Sequence, residues 1–532
     1  MKHKKLSGSF YTPKIIADFL VDYLSDKLKD KSSISILEPS AGDGIFVNTI
    51  YNHETLSKKT KKVIAVEQSK RELNKISKAI QSKTFSAVHS DFLDFQKDKK
   101  EKFSLVLGNP PYIKKSLLAN IQVEHCKAIH QSANLSDTKP KNIWTAFLVR
   151  CIEFTDANGI LAFVLPSELL QVKFAAELRE LILKEFERVE IFTFNELLFK
   201  DCKGQDTLLL IGERKSNNKG VYYCNIDKLT DLALGKFTLS QNVKIKESKW
   251  THHHLDTDEI VLLEKLKQQL LTVDNYCSSK AGIVTAANDY FIVDENTVEK
   301  YSLHQFIKPI IQKGLFVNGS VVLTEEEFQI LIDKSKPTYL IALDKNSVIR
   351  TNAKIWNYLK IGKDREIDKR YKTSIRQTWY EVPNVGTAPE AFFFKRCNEY
   401  PKLIKNNASV LATDSAYTIT MRENFGIENL IYSFYNSLTL AFAELHGRYY
   451  GGGVLELTPN EFKKLPIPYL NITAGNFNSY VTDFKNKNSI KEVCKRNDNA
   501  ILKSFDKHLD DDSIAKLYNI REKLYLRRIK TN

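Results

Sequence analysis

Ile34-Ser35-Ile36-Leu37-Glu38-Pro39-Ser40-Ala41-Gly42-Asp43-Gly44 runs from a short apolar strand straight into a turn bearing two glycines. Working outward from it, residues 63–66, 85–88, 103–107, 160–165 and 189–192 are further short, apolar, strand-like runs. Helical patterns fill the gaps at 69–82, 142–154 and 173–186, the first with Leu73, Ile76 and Ile80 on one face. Buried strands alternating with amphipathic helices predict a mostly parallel α/β sheet. Such a sheet binds ligands beyond the carboxyl ends of its strands, so the residues just after each strand are the candidates for chemistry.

Beyond Arg214 the alternation loosens. A polar stretch at 215–220 precedes a tyrosine-bearing strand, and 246–256 is polar again. The expected division is a first domain of 1–245 and a mixed α+β domain of 246–532, ending in a helical tail where Ile501, Phe505 and Leu509 recur. His252-His253-His254 reads as solvated linker: adjacent histidines on extended chain face opposite ways, and no thiol or carboxylate cluster accompanies them. No metal is therefore expected.

Of the 532 residues, 42% are hydrophobic and 27% charged, the balance of a globular protein rather than a disordered one. Seventy-nine Lys and Arg against 64 Asp and Glu leave a net charge of +15, which favours a polyanionic partner. No run approaches the ~18 apolar residues of a membrane span, and no apolar stretch follows the basic N-terminus as a secretory signal would. Seven scattered cysteines without a C-x-x-C read as reduced thiols of a cytoplasmic protein. No G-x-x-x-x-G-K-[ST] supports ATP-driven translocation, and no Pro-Cys pair offers the nucleophile of cytosine C5 methylation. Eleven residues before Thr12 leave no room for an N-terminal nuclease domain.

The strand-end residues carry specific chemistry. Gly42 and Gly44 permit close approach of a ligand to the backbone, but Glu38 and Asp43 would repel phosphate and attract an ammonium. An amino-acid-bearing nucleoside suits this loop better than a dinucleotide. Glu67, about 23 residues beyond Gly44, ends the second strand where an acid can accept from ribose hydroxyls. Asp91-Phe92 ends the third, with a carboxylate for an adenine amino group and a ring to cover the base. Asn109-Pro110-Pro111-Tyr112 directly follows the fourth. There the Asn109 side-chain oxygen and the Pro110 carbonyl can both accept from one exocyclic amine, pulling its nitrogen toward tetrahedral geometry and freeing the lone pair. Tyr112 can stack on the base. Read singly, these features also suit a glycine turn without ligand, exposed strand-end acids and a rigid Asn-Pro turn. Thr12 before Pro13 equally fits a helix N-cap.

Taken in order, Gly8-Ser9-Phe10-Tyr11-Thr12-Pro13, Leu37 to Gly44, Glu67, Asp91-Phe92 and Asn109 to Tyr112 closely resemble the TaqI-like, gamma-class N6-adenine DNA methyltransferases, the Eco57I/TaqI-like type II restriction-modification methylases. The resemblance is strong over the first ~215 residues and looser from Gly447 to Pro468. It implies a Rossmann-like class I methyltransferase sheet with a C-terminal target-recognition domain. It further implies that Thr12 and the loop Glu38-Pro39-Ser40-Ala41-Gly42-Asp43-Gly44 hold the methionine part of S-adenosyl-L-methionine. Glu67 would take the ribose, Asp91 and Phe92 the cofactor adenine, and Pro111 would pack beside it. Asn109, Pro110 and Tyr112 would hold the target adenine, with Phe199 as a second stacking aromatic, although 200–206 departs from the family's usual sequence. The implied partner is double-stranded DNA, with a cognate restriction endonuclease acting on the same site, and the expected state is a monomer.

In the C-terminal region Arg376, Trp379, Lys395, Arg396 and Arg448 sit where basic and aromatic residues interleave, a pattern suited to phosphates and base edges. Solvated faces and core aromatics give the same pattern. Three alternatives share the Asn-Pro-Pro-Tyr element or the fold: an RNA methyltransferase, a protein-glutamine methyltransferase and a non-catalytic recognition subunit. The ~280 residues after the catalytic half argue for a nucleic-acid substrate, and the intact loops argue against loss of catalysis.

Overall fold

The computed structural model describes residues 11–95, 101–199, 206–241, 249–317, 319–343, 353–450, 453–486 and 490–529. These form two units, one comprising the described residues up to Thr257 together with Tyr450 and the other Asp258–Tyr449 and Gly453–Ile529. No helix among them is long and apolar enough to cross a membrane.

The first unit is built on a nine-stranded sheet in the order β3-β2-β1-β4-β5-β7-β6-β8-β9. Its strands are β1 (Ile34–Glu38), β2 (Thr60–Glu67), β3 (Phe85–His89), β4 (Phe103–Gly108), β5 (Thr155–Pro166), β6 (Arg188–Phe194), β7 (Thr207–Glu213), β8 (Gly220–Ile226) and β9 (Ser240–Gln241). β1 to β6 and β8 run in one direction, whereas β7 is inserted antiparallel between β5 and β6. The expected strands are all present, and the expected helices appear slightly shorter, as α3 (Lys70–Ala79) and α5 (Trp144–Phe154) illustrate. The apolar runs lie at the centre because both sheet faces are covered: Ile36, Val63, Leu105, Leu161 and Ile191 are all fully buried.

Helix α1 (Lys14–Lys27) is fastened by charge as well as by its apolar face. Lys27 Nζ lies 2.8 Å from Glu190 and 2.6 Å from Glu213, Arg188 Nε lies 2.6 Å from Glu190, and the Tyr23 hydroxyl donates to Glu190 at 3.0 Å. Glu190 is wholly buried in β6, so these partners are what make its charge tolerable there.

The expected boundary at 245/246 falls within residues 242–248, which lie outside those described, and the first unit continues past it to Thr257. The expectation of a solvated linker is corrected here. Trp250 N–H donates to the Leu170 carbonyl at 2.8 Å, and the turn Thr251–His254 packs behind it with His252 and His254 buried.

The second unit contains small mixed sheets. One orders Cys277–Ala281, Ala416–Met421, Ala391–Phe394, Lys402–Asn406 and Val322–Leu323; another orders Ile292–Val293, Tyr339–Ile341, Ile307–Ile311 and Leu411–Ala412. Their cores are separate, one around Tyr290, Phe291, Tyr358 and Leu340, the other around Phe392, Phe394 and Ile404. The tail is helical as expected, in Ala474–Lys485, Ile490–Phe505 and Asp511–Arg528, although Leu509 falls between the last two helices. A buried ion pair fastens its end: Arg528 Nε and Nη2 each donate at 2.7 Å to the Glu444 carboxylate. Glu295, Glu299 and His304 place ligand-type atoms within 4.8 Å of one another on the surface, a grouping that sequence spacing does not reveal.

Candidate active site

Leu37 pairs with Val106, so the chain leaves β1 and β4 side by side, at the point where strand order reverses. A cavity of about 610 Å³ opens there, lined by the segments that follow β1, β2, β3 and β4 together with Tyr11 and Thr12. A cleft at the carboxyl ends beside such a reversal is where doubly wound sheets bind nucleotides.

The loop after β1 is held from several sides. Ala41 N–H donates to the Val66 carbonyl at 2.9 Å, and Gly44 N–H closes a tight turn on Ala41 at 2.7 Å. Gly44 has φ +79°, and a Cβ there would stand 2.7 Å from Ile76 Cγ1 of α3, so both conformation and packing require glycine. It therefore serves the turn and is not part of the cavity wall. Gly108 is required for approach instead, since a Cβ on it would meet Pro39 Cδ at 3.1 Å.

Glu38 is 1% exposed, and its Oε2 is buried without a hydrogen-bond partner. Burial, then the nearby Asp43 and Glu67, push its carboxyl well above the usual carboxylate range. Burial also raises Asp43. Acids crowded in this way are relieved by a cation, and no phosphate would enter beside them. Glu67 is engaged on both oxygens, by Gly42 N–H at 2.8 Å and Ser69 N–H at 2.7 Å. Asp91 accepts from Leu93 N–H at 3.0 Å and from Gln122 Nε2 at 2.9 Å. Both acids are thus fixed in place, each carboxylate oxygen retaining one lone pair for a ligand. Phe92 and Phe147 of α5, with ring centroids 5.0 Å apart, form an apolar wall.

Asn109 joins the two halves of the site. Its Nδ2 donates to Thr12 Oγ1 at 3.2 Å, and its main-chain carbonyl accepts from Ser40 Oγ at 3.0 Å. The amide is thereby oriented with nitrogen toward Thr12 and oxygen on the opposite side. Thr12 does not cap α1; Pro13 occupies the N-cap position, with no side-chain cap bond.

Of the residues expected from sequence, Thr12, Glu38, Pro39, Ser40, Ala41, Gly42, Glu67, Asp91, Phe92, Asn109 and Pro111 line this one cavity. Gly44, Pro110, Tyr112 and Phe199 do not. Tyr112 and Phe199 lie in the core, 8% and 6% exposed; the Tyr112 hydroxyl donates to the Val164 carbonyl at 3.0 Å, and burial raises its phenol far above the usual value. Sequence reasoning missed Gln122, Ile143 and Phe147, which reach the wall from helices α4 (Asn120–Ser132) and α5 and from the start of α5. Ile143 and Phe147 fall within the helical pattern read at 142–154, whereas the helix that carries Gln122 was not read from the sequence.

The five C-terminal candidates are distributed differently. Arg376 donates to the carbonyls of Thr285 at 2.8 Å, Val284 at 3.4 Å and Trp379 at 3.3 Å, and Trp379 packs 5.8 Å from the Tyr290 ring. Both make contacts within their own unit while staying partly exposed. Lys395 lies 4.0 Å from Asp414, Arg396 3.0 Å from Glu456 and Arg448 3.0 Å from Glu461.

The sheet order with its reversed seventh strand, and an acid-lined cavity of nucleoside size at the β1/β4 reversal, define a class I S-adenosylmethionine-dependent methyltransferase fold. Residues 24–199 match the Eco57I restriction-modification methylase family, and residues 247–502 match the C-terminal domain of Type II methyltransferase M.Eco57I. The chain belongs to these Eco57I-like type II restriction-modification methylases. It is 22% identical to Type II methyltransferase M.AccI of Acinetobacter calcoaceticus over 96% of its own length and 94% of that protein. To Modification methylase CviBIII of Paramecium bursaria Chlorella virus NC1A it is 27% identical, over 41% of this chain and 52% of that one. Its fold is similar to that of the Type IIL restriction-modification enzyme MmeI solved in complex with DNA, with TM-score 0.61 at 13% identity, over 98% of this chain and 79% of that one.

Proposed function

We propose that this protein is a site-specific DNA methyltransferase that transfers a methyl group from S-adenosylmethionine to N6 of an adenine swung out of duplex DNA, as the modification arm of a restriction-modification system. The family carries the assignment to type II DNA methyltransferases. The observation supporting an exocyclic amine as target is the setting of Asn109: amide nitrogen on Thr12 and main chain on Ser40, so that the amide turns its acceptor oxygen away from Thr12.

The residues present fit the cofactor. Glu38 Oε2, buried and unpartnered, suits an ammonium, and the crowded carboxylates suit the positive charge of a sulfonium compound. Glu67 and Asp91, already fixed by the protein, offer lone pairs to ribose and to an adenine amine, with Phe92 and Phe147 beside the ring. When bound, S-adenosylmethionine supplies an electrophilic methyl group on sulfur.

Asn109 Oδ1 and the Pro110 carbonyl accept the two amine hydrogens of the target adenine, so the nitrogen lone pair is released from the ring and aimed at the cofactor side of the cavity. Alignment and exclusion of water then do the catalytic work. Tyr112, pinned by its hydroxyl to Val164, and Phe199 are both buried, so stacking on the base requires their ring faces to be uncovered when the duplex binds. Extruding the base costs a few kcal/mol, which stacking and backbone contacts offset.

Asn109→Ala should abolish methyl transfer while leaving cofactor affinity nearly intact, as read by labelled-methyl incorporation and calorimetry; near-normal turnover would refute the assigned role. Expression in a methylation-deficient host, with modified bases mapped across its genome, tests substrate and position together. Label appearing only in RNA or on glutamine would replace this reading with one of its alternatives.

A further inference from the structure

The second unit carries an open groove of about 1110 Å³ that no sequence motif marks. One wall is the loop 284–289, in which Ala286 adopts φ +69°, a left-handed conformation unfavourable for a residue with a Cβ. Arg376 holds that loop from behind through the carbonyls of Val284 and Thr285. The Thr285 hydroxyl donates to Asn288 Oδ1, which leaves the Asn288 NH2 as the end offered to the groove. Gln312 also lines the groove, and its main-chain carbonyl accepts from Thr413 Oγ1 at 3.1 Å and Ser415 Oγ at 2.6 Å, which anchors the backbone there.

Charge in the groove is uneven. Arg365 and Arg370 share Asp289, and Asp294 is occupied as a helix cap, accepting from Thr297 N–H. Lys300, Lys313 and Lys372 are exposed at the rim with no acidic partner among the described residues. Two amide side chains on anchored backbone, among ammonium groups without acidic partners, match a ligand with an anionic backbone and hydrogen-bonding edges.

We propose that this groove is a base-reading site for duplex DNA, with Lys300, Lys313 and Lys372 neutralising phosphates and Asn288 and Gln312 bonding base edges. The proposal rests on the DNA-substrate reading above. Amides pair with adenine edges in the major groove, and each neutralised phosphate adds about 0.9 to the salt slope of binding.

The test uses the full chain and is independent of methyl transfer. Sequences selected by the protein from a random duplex pool define its site, and binding to that site is then measured across a salt series. Lys300→Ala, Lys313→Ala and Lys372→Ala should each lower the slope of log K against log salt by about one, and the triple variant by about three. Asn288→Ala and Gln312→Ala should leave the slope unchanged but relax the selected sequence at one position each. An unchanged slope in the triple variant overturns the phosphate contacts, and an unchanged selected sequence in both amide variants overturns the base reading. Tight, selective duplex binding without methylation would remove the catalytic reading and leave the groove standing. Failure to bind any duplex would remove the groove.

Discussion

The cavity of the first unit and the groove of the second are made by opposite means. Around the cavity the polar side chains are half-buried and tied to main chain: Ser40 to Asn109, Glu67 to Gly42 and Ser69, Asp91 to Leu93. Around the groove they are mostly long and exposed, and only the loop beneath them is fixed. Chemistry that depends on the aim of one lone pair needs immobile partners, whereas contacts with a polyanion tolerate mobile ones.

The largest expected effect would break this comparison if it crossed from one unit to the other. Arg528→Ala strands Glu444 as a buried unpaired charge and should cost the second unit about 3–5 kcal/mol, seen as a lowered urea midpoint, with cofactor binding in the first unit retained. Parallel loss of cofactor affinity would show that the two units do not answer separately. A smaller effect concerns Asp498, 1% exposed and accepting from the Ser437 N–H at 2.7 Å and hydroxyl at 2.6 Å. Burial, against the pull of those donors, raises its carboxyl to about 6 from 3.8, so the folded state holds the proton more tightly than the unfolded one. That contribution is complete below about pH 4 and is lost as pH rises through about 6, worth about 3 kcal/mol in full. The urea midpoint of the second unit should fall across that window, and Asp498→Asn should flatten the fall.

Two further variants sharpen the picture of the cavity. Glu38→Gln keeps shape and removes charge, and should weaken cofactor binding about 10- to 100-fold with turnover at saturating cofactor largely retained. Gln122→Ala frees one side of Asp91 and should raise the KM for cofactor about fivefold at unchanged kcat, the worth of one hydrogen bond. A fall in kcat instead would mean that Gln122 supports the target side.

How legible each region was follows from how far apart its parts lie along the chain. β1 to β6 were readable as short apolar runs, several of them stopped by an acid, a glycine or a proline, and the cavity residues follow the first four. The reversal of β7 was not, since Thr207–Glu213 is buried on both faces and its pattern is the same in either direction. Gln122 was hidden because it meets Asp91 from a helix 31 residues further on. Arg376 beside Trp379 has a nucleic-acid-like pattern, and the contacts of its guanidinium with the carbonyls of Thr285 and Trp379 were not legible, since nothing in the sequence places Thr285 beside it. The histidines at 252 and 254 read as solvated because polarity was visible and Leu170, which anchors their turn, was not.

The bond from Ser40 to Asn109, together with that from Asn109 to Thr12, has a consequence for how such enzymes diversify. Three stretches far apart in the gene meet at a single residue, so an exchange at any of them disturbs the other two at once. Variation that survives must accumulate elsewhere, on surfaces where one lysine or amide is replaced without retuning a neighbour. A lineage can therefore acquire new target words while its transfer machinery stays frozen.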